Sequence, residues 1–272
     1  MNQTLCFLGG GNMARSLIGG LLAQGFDPGQ IIVADPATSQ LDSLKSRYGV
    51  RVARDNASAT QGARVVVLAV KPQELRTVVT EIKDVIKEGR PLVISVAAGI
   101  RASDIQRWAN GVAVVRSMPN RPALHGCGVT GLFATADVSA EDGRLAEQIL
   151  SAVGKTLWLD RESDMDAVTA ISGSGPAYFF LLIEILEQTG VALGLKPEVS
   201  KALAVETAFG AGSMARDAAE SAATLREQVT SKGGTTEAAL QHLEAHHMRE
   251  VFSAAVAAAA RRSAQLADEF GK

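Results

Sequence analysis

Phe7-Leu8-Gly9-Gly10-Gly11-Asn12-Met13-Ala14 follows a short apolar run, Leu5–Leu8, and opens a stretch of helical periodicity, Met13–Gln24. Small residues at the first, third and sixth places of a strand-to-helix turn form the dinucleotide-binding fingerprint. Gly9 permits the tight turn, Gly11 lets the backbone approach a pyrophosphate, and Ala14 lets helix pack closely on strand. The helix start then offers free N–H groups and the positive end of a dipole to the phosphates. A glycine-rich turn alone says little; here a strand precedes it and a helix follows. The turn supplies the first candidate cofactor-binding residues: Leu8, Gly9, Gly10, Gly11, Asn12 and Met13.

Outward from this turn, short β-branched runs alternate with helical patterns. Leu5–Leu8, Ile31–Ala34, Val65–Val70, Leu92–Val96 and Val112–Val115 read as strands, with helices over Met13–Gln24, Ser39–Tyr48, Glu74–Ile86 and Ala102–Trp108. Gly126–Phe133 and Thr156–Leu159 read as further strands. The runs are continuous rather than alternating, which implies strands buried on both faces of a parallel sheet. Strand–helix alternation of this kind specifies a doubly wound α/β domain of Rossmann type.

After Glu162 the β-branched runs stop. Helices are expected over Pro176–Leu193, Pro197–Ala219, Ala222–Thr230, Thr236–Ala245 and Arg249–Phe270, several with Pro near the start or Gly past the end. The expected division is a Rossmann domain over 1–162 and an all-helical domain over 163–272. These helices are Ala-rich and apolar on more than one face, which roughly 110 residues cannot bury alone. A homodimer built through this half follows.

Ligands of open α/β sheets bind at the carboxyl ends of the strands. Asp35 ends the second strand, about 20 residues past the fingerprint, where an acid usually takes the adenosine ribose hydroxyls and favours NAD. As Asp35-Pro36 it would also suit a turn. Ala69-Val70-Lys71-Pro72, Ala97-Ala98 and Asn120 end later strands and line the same edge. In the helical half, Ser172–Pro176 and Thr230–Ala238 are glycine-rich and open helices. Free amides and hydroxyls at a helix start suit a carboxylate, although capping explains Ser and Thr there equally well.

Phe7–Ala14, Ala69–Pro72, Ser95–Gly99, Met118–Asn120, Asp166–Thr169, Ser172–Tyr178 and Val229–Ala239 stand in the order and spacing of pyrroline-5-carboxylate reductases, which the chain resembles over essentially its whole length. The resemblance implies reduction of 1-pyrroline-5-carboxylate to L-proline with NADPH or NADH. It also implies a helical dimerisation domain and dimers that assemble further. In that family the imine lies between the nicotinamide and the helical domain, near the dimer interface. By the same resemblance, the loop matching Ser231, Gly233, Gly234 and Thr235 holds the substrate's carboxylate, and Thr236 reaches the ring nitrogen. Asn56 falls on the adenosine side and Glu162 near the substrate. Two residues depart from the family pattern: Arg121 stands where Thr is usual, and Lys232 where Pro is common.

Protonation makes a cyclic imine electron-poor, so its reduction needs no acid stronger than a group that orients the nitrogen. A hydroxy-acid dehydrogenase would need a Lys or His acid, for which only Lys232 has a suggestive setting. A catalytically silent NAD(P)-binding protein would not need the second glycine-rich site. A net charge of −2 and 4% aromatic residues exclude the basic stripe and stacking platform of a nucleic-acid binder. The N-terminal stretch lacks the charged region of a secretory signal. Ala177–Ile183 and Ala254–Ala260 are too short to span a bilayer. Cys6 and Cys127 form neither a disulfide framework nor a metal motif. His242 and His246 share a helix face but no third ligand accompanies them, so no metal is expected. The expected setting is cytoplasmic.

Overall fold

The apolar runs form strands because both of their faces find cover. Every residue of β1 (Leu5–Leu8), β2 (Ile31–Ala34), β4 (Val65–Leu68) and β5 (Leu92–Ser95) is buried. Alternation sends Leu5 and Phe7 into one core and Cys6 and Leu8 into the other. The first core packs against α1 (Asn12–Ala23), α2 (Thr38–Tyr48) and α6 (Ala140–Leu150). The second packs against α3 (Asn56–Thr60), α4 (Pro72–Gly89) and α5 (Ala102–Trp108). Along α4, Leu75, Val78, Val79, Ile82 and Ile86 are buried at helical spacing. Such side chains stabilise by about 1.5–3 kcal/mol each.

The computed structural model describes residues 4–272; Met1–Gln3, part of the N-terminal stretch read for a signal, lie outside the described residues. Its sheet has eight strands in the order β3-β2-β1-β4-β5-β6-β7-β8. They include β3 (Arg51–Ala53), β6 (Val114–Met118), β7 (Gly128–Ala134) and β8 (Gly154–Trp158). Strand order reverses between β1 and β4, which opens a crevice at their carboxyl ends. One pairing departs from the all-parallel expectation: β6 and β7 run antiparallel, joined by a short helical turn at Arg121–His125. A connection this short cannot return the chain for a parallel pairing.

The helical half comprises α7 (Met165–Val168), a π-helical turn at Thr169–Gly173, α8 (Gly175–Ala192), α9 (Pro197–Asp217), α10 (Ala222–Gln228), α11 (Thr235–Ala245) and α12 (Met248–Phe270). By packing, the chain forms two compact units. One unit contains the residues up to Ser174 together with Ala259–Lys272, and the other is Gly175–Ala258. The reasons are local. Met165 and Ala170 are buried in the sheet unit. Ser263 donates to Asp166 at 2.7 Å, and Arg101 pairs with Asp268 at 2.5 Å.

Within the second unit, Ser200 of α9 donates to the Glu187 carbonyl of α8 at 2.7 Å, and Gly190 gives it room. Tyr178 and Phe252 meet edge to face, with ring centroids 5.5 Å apart. Large apolar side chains of this unit stand exposed on the single chain, including Phe179 at 64%, Phe209 at 70% and Leu193 at 81%. The helical stretch Glu162–Ala192, 31 residues, is long and apolar enough to cross a membrane by length and composition. The shorter span read from Ala177–Ile183 missed it because the helix continues back through the π turn.

Candidate active site

The turn after β1 is held by its neighbours. Gly9 N–H donates to the Ala34 carbonyl and Ala69 N–H to the Leu8 carbonyl, each at 2.8 Å, so the turn sits in the crevice between β2 and β4. Gly9 has φ +100, and a Cβ there would lie 2.6 Å from the Ala69 oxygen. Gly11 caps α1 without any side-chain acceptor, and a Cβ on it would meet nothing within 4 Å. Amides of the first turn of α1 therefore face open space beside a glycine without a side chain. This fits a pyrophosphate. Asn12 is exposed at the helix start, Met13 packs on the first core, and Leu8 is fully buried, so Leu8 can offer a ligand only backbone.

Asp35 lies beside that turn. Its Oδ2 accepts from Gly10 N–H at 2.8 Å and its Oδ1 from Ala37 N–H at 2.9 Å. A cleft of about 580 Å³ opens here, with Gly9, Asp35, Arg54, Asn56, Val70 and Thr77 among its lining residues. Asn56 thus sits on the same cleft as Asp35, and its Nδ2 donates to Glu81 Oε2 at 2.7 Å. Arg54, Asp55 and Glu81 were not found by sequence reasoning. The Asp-x-x-Ser cap of α3, in which Asp55 accepts from Ser58 N–H at 2.8 Å, was the available signal.

Farther along the sheet edge, Lys71 caps α4 and Pro72 takes its first position. Lys71 is exposed, Ala69 half-buried, Ala97 buried and Ala98 half-buried. Asn120 is 8% exposed, and both ends of its side chain are taken. Nδ2 donates to the Ser172 carbonyl at 3.1 Å, and Oδ1 accepts from Val129 N–H at 3.0 Å. Asn120 therefore braces the β6–β7 connection. Glu162 is also engaged: Oε1 accepts from Arg116 Nη1 at 3.0 Å and from Ala102 N–H at 2.6 Å. Arg121 and Lys232, the two departures from the family pattern, are exposed.

In the helical unit, taken by itself, Gly233 has φ +74 and Gly234 caps α11 with no side-chain acceptor. The amides of Thr235 and Thr236 begin that helix. The Gly233 amide is already taken, since it donates to Glu237 Oε2 at 2.7 Å, and Gly234 N–H closes a turn on the Ser231 carbonyl at 3.0 Å. Ser231 and Thr235 are exposed and Thr236 half-buried. The arrangement can receive an anion at a helix start, with a hydroxyl adjacent. The imidazoles of His242 and His246 stack at 4.1 Å, and no group of three or more metal-ligating side chains occurs among the described residues.

A switch-point crevice, a glycine turn opening a helix and an acid ending the second strand together define a Rossmann-type dinucleotide-binding protein carrying a helical unit. Comparison with known proteins narrows this. The family profile described as pyrroline-5-carboxylate reductase dimerisation matches residues 162–266, and one described as coenzyme F420-dependent NADP oxidoreductase matches 4–99. A pyrroline-5-carboxylate reductase of Pseudomonas aeruginosa is 45% identical over 269 residues, covering 98% of each chain. The solved pyrroline-5-carboxylate reductase of Coxiella burnetii superposes with a TM-score of 0.93 at 42% identity, covering 98% of this chain and 99% of that one. The Plasmodium falciparum pyrroline carboxylate reductase with NADP bound gives a TM-score of 0.86 at 29% identity, covering 98% of both. The chain belongs to the pyrroline-5-carboxylate reductase family.

Proposed function

We propose that this chain reduces 1-pyrroline-5-carboxylate to L-proline with NAD(P)H, the last step of proline biosynthesis. The observation that carries this reading is the 45% identity over 98% of both chains with a reductase of that name. Bound NAD(P)H supplies the hydride; this chain's residues supply position and charge complementarity. The glycine turn, Asn12, Asp35, Asn56 and the edge formed by Ala69–Pro72, Ala97 and Ala98 hold the cofactor. In the helical unit, Ser231 and the Gly233–Thr235 turn receive the substrate carboxylate. Thr236 Oγ1 accepts from the protonated ring nitrogen, which keeps the C=N bond electron-poor and oriented. Asn120 and Glu162 act behind the site as braces, since their polar atoms are already bonded to protein.

The working unit is a homodimer formed through the residues that match the dimerisation profile, with further assembly of dimers. Exposed side chains such as Phe179 and Phe209 lie within that span and need cover. The partner class is a small imino acid, not a membrane or a nucleic acid, and the setting is cytoplasmic, where Cys6 and Cys127 stay reduced. The test follows nicotinamide absorbance after addition of pyrroline-5-carboxylate, with NADH and with NADPH. Oxidation of either supports the reading. No oxidation with either, alongside oxidation of a 2- or 3-hydroxy acid by NAD(P)+, overturns it in favour of a hydroxy-acid dehydrogenase.

A further inference from the structure

The cleft beside the glycine turn is acidic. Among its lining residues are the carboxylates Asp35, Asp55, Glu74 and Glu81, against one guanidinium, Arg54. We propose that this chain selects NADH and rejects NADPH, with Asp35 as the specificity-determining residue; this rests on the dinucleotide reading above.

Asp35 cannot step aside. Gly10 N–H and Ala37 N–H hold one carboxylate oxygen each, at 2.8 and 2.9 Å. Both bonds anchor the carboxylate to the backbone of the β1 and β2 turns. Each oxygen still has an acceptor site. A ribose 2′-hydroxyl can donate to that site, whereas a 2′-phosphate offers only acceptors and about two negative charges. An anchored carboxylate thus attracts one cofactor and repels the other.

The remaining groups do not reverse this. Asp55 is held below the usual carboxylate range by the Ser58 amide and hydroxyl, so it stays charged. Asn56 turns a donor to Glu81. Arg15, the cation bonded to the glycine turn, is committed elsewhere: Nε to the Gly10 carbonyl, Nη1 to Ser43 and Nη2 to Gln40. Arg54 is exposed and precedes Asp55 directly.

The experiment titrates the purified full-length protein with NADH and with NADPH, reading dissociation constants from nicotinamide fluorescence at low and at near-physiological salt. NADH is expected to bind at least about tenfold more tightly, with the gap narrowing as salt screens the exposed carboxylates. Asp35→Asn should bring the two constants within about threefold by strengthening NADPH, a change of roughly 0.7 kcal/mol or more. Glu74→Gln, away from the glycine turn, should shift the ratio less and in the same direction. NADPH binding as tightly as NADH to the unmodified protein overturns the proposal but leaves the dinucleotide reading intact. Failure of both cofactors to bind overturns the dinucleotide reading itself.

Discussion

Arg116 and Glu162 form a buried ion pair, Nη1 to Oε1 at 3.0 Å, with the guanidinium side chain 4% and the carboxylate side chain 21% exposed. The same oxygen accepts from the Ala102 amide at the start of α5. One carboxylate thus ties β6, α5 and the segment leading into α7. Removing one member leaves a charge uncompensated in the interior. Glu162→Leu or Arg116→Met alone should therefore destabilise by about 3–5 kcal/mol. Replacing both, as Arg116→Met with Glu162→Leu, should cost far less than the two single changes summed. Urea denaturation of the four proteins measures this coupling; simple additivity would show the pair to be independent.

The two outer glycines of the fingerprint serve different ends, and mutation separates them. Gly9→Ala places a methyl 2.6 Å from the Ala69 carbonyl oxygen at positive φ, against backbone that cannot yield. A loss of at least about 2 kcal/mol in stability is expected. Gly11→Ala meets nothing within 4 Å. Its effect on stability should stay within about 1 kcal/mol, while its methyl occupies the space offered to the phosphates and weakens cofactor binding. Thermal denaturation paired with a fluorescence titration distinguishes a folding glycine from a binding one. A Gly11→Ala protein that binds normally would show that the pyrophosphate lies elsewhere.

Why the sheet was legible and parts of the site were not follows from range. Leu5–Leu8 and Val65–Leu68 announce themselves because continuous burial on two faces demands continuous apolar sequence. Strand β3, Arg51–Ala53, was not visible because three edge residues with an exposed Arg leave no pattern. Helix α6 escaped because Glu141, Asp142, Gly143 and Arg144 mask its apolar face in the first turns. Position at strand ends pointed to Asp35 and Asn120 as site candidates, and the family resemblance to Asn56 and Glu162, but neither pointed to their partners. The Asn120 bond to Ser172 joins residues 52 apart, and the Arg116–Glu162 pair joins residues 46 apart. No local spacing encodes such a contact, so braces and ligands looked alike. The return of Ala259–Lys272 to the sheet unit was hidden for the same reason.

Cys6 gives the sheet a measurable response to alkali. Burial pushes its thiol from an ordinary 9.0 up to about 12, against a smaller opposing effect of the Thr60 hydroxyl. The folded state resists losing this proton, whereas the unfolded chain releases it near 9.0. Stability is therefore unaffected by Cys6 below that pH and falls as pH rises from there toward 12, by roughly 1 kcal/mol per pH unit. Cys6→Ala should flatten this part of the stability profile, measured by urea denaturation between pH 8 and about 10.5. Thiol labelling should find the exposed Cys127 reactive and Cys6 protected until unfolding. Fast labelling of both would contradict the burial.

Thr236 and Glu237 are neighbours at the start of α11 with separable roles. Glu237 Oε2 accepts from the Gly233 amide at 2.7 Å, so a carboxylate of the chain itself already takes one amide of the turn proposed to receive the substrate's carboxylate. Glu237→Ala removes that cap, which should cost about 1 kcal/mol in stability. Its kinetic effect should appear as a change in KM. In the proposed reaction Thr236 instead offers a hydroxyl to the ring nitrogen, whose charge is lost as the imine is reduced. Thr236→Ala should lower kcat by roughly 10–100-fold, the scale of one lost hydrogen bond to a charged group. The dissociation constant for NADH should change little, because the residues assigned to the cofactor lie in the other unit. Thr236→Ser keeps the hydroxyl and should recover most of the rate. Steady-state kinetics with a cofactor titration reads all three variants, and a Thr236→Ala protein of undiminished turnover would remove the hydroxyl from the mechanism.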